Sequence, residues 1–74
     1  MARYFTLAIR ASDHSPWEIA FGDYDPAIVA EEATYEYRHI PKHRRKIIRT
    51  SEAQADIDAA IEGLNVRAWE QANN

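Results

Sequence analysis

Tyr4-Phe5-Thr6-Leu7-Ala8-Ile9-Arg10-Ala11, followed after Ser12-Asp13-His14-Ser15-Pro16 by Trp17-Glu18-Ile19-Ala20-Phe21, is the stretch that sets the fold. Phe5, Leu7, Ile9 and Ala11 alternate with Tyr4, Thr6, Ala8 and Arg10. A period of two with aromatic and β-branched content reads as a half-buried strand. Residues 12–16 are turn formers throughout. Trp17, Ile19 and Phe21 then alternate with Glu18 and Ala20 as a second strand. Two alternating runs joined by a short polar connection predict an antiparallel hairpin. Its shared apolar face is expected to carry Phe5, Leu7, Ile9, Trp17, Ile19 and Phe21. Tyr4, Thr6, Ala8, Arg10, Glu18 and Ala20 are left for water or a partner.

Downstream, Gly22-Asp23-Tyr24-Asp25-Pro26 ends the hairpin and opens a helix. Asp25 suits the cap and Pro26 the first helical position. Val29, Ala33, Tyr37 and Ile40 recur at helical spacing, and Pro41 predicts a stop near His39. Arg44 to Thr50 reads as a third strand in which either Ile47 or Ile48 can face inward. Ser51-Glu52-Ala53-Gln54 matches a capping box, opening a helix with Ala53, Ile57, Ala60, Ile61 and Leu64 on one face. Gly63 and Asn65 are candidate stop signals, but Ala68 and Trp69 can extend the stripe, so the helix end is expected between Leu64 and Gln71.

The expected fold is therefore α+β, ordered β-β-α-β-α. It is a three-stranded, largely antiparallel sheet with both helices on one face. The 74 residues make one small domain, with an ordered core at about 3–65, an extension over 66–74 and fraying at Asn73 and Asn74. Without cysteine there is neither a disulfide framework nor a thiolate metal site. The N-terminus lacks a signal-peptide pattern and no apolar run approaches membrane-spanning length, so a cytoplasmic location is expected.

Charge is the feature that points to a partner. Arg38 to Arg49 hold six of the nine Lys and Arg and no carboxylate; all twelve Asp and Glu lie elsewhere, against three basic residues. Arg38, Lys42, Arg44, Arg45, Lys46 and Arg49 form a candidate cationic site for a protein or for nucleic acid. No aromatic residue interrupts that block to stack on bases. The structural alternatives are a charged edge strand that resists aggregation and internal pairing with Glu31, Glu32 and Glu36. Glu31, Glu32, Glu36, Glu52, Asp56, Asp58 and Glu62 form the other candidate surface, an acidic face. An uncovered sheet face and the late Trp69 further suggest a homodimer.

Reactive centres find little support. Ser12, Ser15 and Ser51 are accounted for as turn and cap residues, and Pro41 separates His39 from His43. Two glycines cannot build a phosphate cradle. No catalytic residue, cofactor or metal ligand is assigned, and a non-catalytic interaction module is expected, with a small nucleic-acid-binding protein as the alternative.

Trp17 to Glu32, W-E-I-A-F-G-D-Y-D-P-A-I-V-A-E-E, resembles a pattern in small uncharacterised proteins of tailed phages and prophages. Those chains pair an N-terminal strand with a Gly-Asp-Tyr-Asp turn that opens a helix. They end in a helix similar to Gln54-Ala55-Asp56-Ile57-Asp58-Ala59-Ala60 through Leu64-Asn65, so the likeness covers most of residues 4 to 65. The resemblance implies an accessory protein made inside an infected bacterium. Proteins of that setting commonly bind and block a host machine, including defence complexes such as CRISPR effectors.

Overall fold

The computed structural model describes residues 3–72. Strand β1 (Arg3–Ile9) lies at the centre of a sheet ordered β2-β1-β3, with β2 (Glu18–Asp23) and β3 (Arg45–Ser51) each antiparallel to it. Helix α1 (Pro26–Tyr35) connects β2 to β3, a single 3₁₀ turn (Lys42–Arg44) leads into β3, and α2 (Gln54–Ala72) completes the chain. The α+β class and the β-β-α-β-α order are as the sequence predicts. No helix among the described residues is long and apolar enough to cross a membrane.

The placement of the helices differs from expectation. Leu7 packs with Val29 and Ala33 of α1, while the adjacent Ala8 packs with Trp17 and with Leu64 of α2. Neighbouring residues on a strand point to opposite faces, so the helices lie on opposite faces of the sheet. Thr6, Leu7 and Ala8 are accordingly all 0% exposed. Strand spacing explains why: three strands span only about 10 Å, roughly the diameter of one helix with its side chains. One helix fills each side. Ala8, Trp17 and Leu64 pack together on the α2 side, so the face expected to stay open to water or a second copy is covered.

A β-bulge sets the pattern in the second strand. Leu7 pairs with Phe21 but Ala8 pairs with Ile19, leaving Ala20 as the extra residue. That insertion reverses the side-chain alternation. Phe21 therefore joins the α1 side, while Trp17 joins the α2 side and Ile19 is exposed. The expected single apolar face, from Phe5 to Phe21, is divided between two cores.

Local signals fare better where their partners are close in sequence. Asp25 caps α1, accepting a hydrogen bond from Ala27 N at 2.9 Å, with Pro26 at the first turn. The helix stops at Tyr35, short of His39, and Tyr37 turns inward to donate from its hydroxyl to Ala20 O at 3.3 Å. The capping box does not form. Ser51 Oγ accepts from Ala53 N and donates to Asp56, while Gln54 Nε2 donates forward to Asp58. Helix α2 runs through Gly63 and Asn65 to Ala72, so residues 66–72 continue it; Asn73 and Asn74 lie outside the described residues. Asn65 is no stop signal. Its carboxamide accepts from Trp17 N at 2.6 Å and donates to Trp17 O at 3.4 Å, fastening α2 to the start of β2.

Candidate interaction surface at the third strand

Because β1 is central, β3 is an edge strand. Arg10 N donates to Arg44 O at 3.0 Å, in register with the β1–β3 ladder. Hydrogen-bonded pairs alternate along an antiparallel ladder, so Lys46, Ile48 and Thr50 bond to β1. Arg45, Ile47 and Arg49 direct their backbone groups outward. Arg45 N–H is already turned back to Lys42 O. The N–H and C=O groups of Ile47 and Arg49 face no other strand among the described residues.

The two isoleucines divide between the faces. Ile48 packs toward Ile61 and Leu64 on the α2 side. Ile47, opposite Leu7, stands on the α1 side and keeps 42% of its surface exposed. Beside it a shallow cleft of about 300 Å³ opens between β3 and the end of α1, with Leu7, Ala33 and Ile47 as its apolar part and Lys42, Arg45 and Lys46 around it.

The six basic residues do different work. Arg45 donates from its guanidinium to Ala33 O, in the last turn of α1, a helix whose own last turn has no basic residue. A cation there offsets the negative end of the helix dipole. Arg44 donates to Ala11 O and its Nε lies 3.9 Å from Asp13, while His43 Nε2 sits 2.9 Å from the same carboxylate. Both arginines hold connections together. Lys46 Nζ stands 5.8 Å from the centre of the Trp17 ring, on whose face Arg10 also rests at 5.2 Å. Lys42, Arg49 and Arg38 are exposed and pair with no carboxylate among the described residues. The internal pairing with Glu31, Glu32 and Glu36 considered from the sequence does not form; Asp13, read as a turn residue, is the carboxylate that meets the block.

Carboxylates assigned to one acidic face are split by the sheet. Glu31, Glu32 and Glu36 belong to α1 and its C-terminal cap, whereas Glu52, Asp56, Asp58 and Glu62 belong to α2 and its approach on the other side. Asp58 and Glu62 flank an open groove with Ile61, Val66 and Trp69 along α2 itself. Glu52 accepts a 2.8 Å hydrogen bond from Tyr24 OH, which holds that phenol above its ordinary pKa. Among the described residues there is no cluster of three or more His, Cys, Asp or Glu able to hold a metal ion.

Comparison with protein-family models, with curated proteins and with solved structures yields no match.

Proposed function

We propose that the chain is a non-catalytic protein-interaction module that meets an anionic partner along the outer edge of β3. The setting implied by its resemblance makes it an inhibitor or modulator of a host protein complex in a phage-infected bacterium. One observation carries the choice of surface: a regular edge strand with outward backbone groups, next to the exposed cations Lys42, Lys46 and Arg49. The acidic alternative is weaker because its carboxylates divide between two sides of a narrow sheet. A nucleic-acid partner would engage the cations but has no use for a strand's hydrogen-bonding edge.

The test is affinity capture from bacterial lysate at low salt, with wild type beside Lys42→Glu/Arg49→Glu. A protein retained by the wild type and lost from the variant, with nuclease treatment making no difference, is the expected result. Equal retention by both would remove the cationic edge from the account. Loss on nuclease treatment would favour the nucleic-acid reading.

A further inference from the structure

We infer that the outer edge of β3 is a strand-addition site whose ligand is a short, acidic, extended segment of another protein, with an apolar side chain opposite Ile47. This deepens the interaction-module reading and rests on it. The edge supplies backbone pairing: the N–H and C=O groups of Ile47 and Arg49, and the C=O of Arg45, point away from β1. An added strand gains its affinity from such groups and its selectivity from pockets for alternate side chains. Here the pocket is the shallow cleft beside the exposed Ile47, floored by Ala33 over the buried Leu7, with Lys42 and Arg45 providing charge on that side.

Charge selects the occupant. A second copy laid antiparallel along β3 with Ile47 opposite Ile47 would set each Arg45 against the other copy's Arg49, and like charges destabilise cross-strand pairs. A strand with carboxylates at those positions meets attraction instead, and its apolar residue covers the exposed Ile47. Polynucleotide fits less well. The carboxylates of Glu31, Glu32 and Glu36, carried by α1 and its cap, oppose a long polyanion more than a few residues of peptide.

The probe is the peptide acetyl-Thr-Glu-Thr-Val-Glu-Glu-Thr-amide. In antiparallel register its valine faces Ile47 and its glutamates face Arg49, Lys46 and Arg45. The control is the same peptide N-methylated on the valine, which keeps every charge and loses one ladder hydrogen bond. Isothermal titration calorimetry should show the plain peptide bound at low salt and the methylated one weakened about tenfold or more. Ile47→Pro should weaken it similarly, since proline at an outward edge position removes an N–H without breaking the β1 ladder. Bound peptide should also slow hydrogen exchange at the Ile47 and Arg49 amides. Equal binding of both peptides, or unchanged exchange at those amides, overturns strand addition. So does an oligothymidylate that binds more tightly than the peptide and is indifferent to Ile47→Pro. If the peptide fails to bind while lysate capture still depends on Lys42 and Arg49, strand addition alone falls; if capture fails too, the interaction reading falls with it.

Discussion

The two edges of the sheet are built differently. At β2 the chain inserts a bulge at Ala20, ends the strand in Asp23, and lays the Tyr4 ring over Gly22 so closely that a Cβ there would stand 2.4 Å from the tyrosine hydroxyl. Tyr24 packs edge-on against Tyr4 and ties that corner to Glu52. At β3 seven residues pair with β1 without a bulge, and the outer side carries cations. Bulges and charges both guard against indiscriminate pairing, but in different ways. A bulge distorts the ladder against every partner, whereas lysine and arginine reject only partners of the same sign. On the proposed function β2 belongs to the architecture and β3 to recognition, so substitutions near β2 should cost stability and those along β3 should cost binding.

The sharpest contrast comes from Trp17, buried at the start of β2 against Ala8 and Leu64 beneath Arg10. Trp17→Ala should cost about 3–5 kcal/mol in denaturant unfolding. Gly22→Ala should destabilise by about 1–3 kcal/mol, because the new methyl must displace the Tyr4 ring. Adding Tyr4→Ala should then cost less than the sum of the single changes, since the two sites touch. Asn65→Ala leaves the Trp17 backbone groups without their partner and should cost about 1–3 kcal/mol by thermal unfolding. Along the other edge, Lys42→Glu/Arg49→Glu should change stability by no more than about 0.5 kcal/mol while abolishing partner capture. A double variant that unfolds the chain would break the comparison.

The smallest effect is expected at Tyr24. Its neutral hydroxyl donates to Glu52, and ionisation would both break that bond and set two negative charges together, so the folded-state pKa is raised above 10.0. The contribution to stability is fully present below the ordinary phenol value and is lost as pH rises through the folded one. An alkaline titration followed by tyrosinate absorbance, with Tyr24→Phe to assign the signal, should show Tyr24 ionising late, and Glu52→Gln should bring it earlier. No shift in Glu52→Gln would dissociate this corner from the bulged β2 edge.

Much of this was legible in the sequence wherever the chemistry is local. Asp25 and Pro26 announce their helix because cap and capped N–H lie two residues apart. The strands are readable from alternation, and the cationic block from counting. What alternation hides is parity: nothing in Trp17-Glu18-Ile19-Ala20-Phe21 marks Ala20 as the extra residue, yet the bulge there divides the expected apolar face. Thr6 and Ala8 look solvent-facing because they alternate with the larger Phe5, Leu7 and Ile9, yet both are fully buried, and Ala8 packs against Trp17 and Leu64. Asn65 carries a helix-stop residue type, but its partners are 48 residues away. At the candidate site, composition identifies the cations. It cannot separate Arg44 and Arg45, held by Ala11, Asp13 and Ala33, from Lys42 and Arg49, which stand clear.

Amide hydrogen exchange along β3 in the free chain tests the central claim most directly. An open edge predicts alternation, with Lys46, Ile48 and Thr50 protected by β1 and Ile47 and Arg49 exchanging rapidly. Uniform protection from Lys46 to Thr50 at low concentration would mean that the edge is already covered, and would contradict the account.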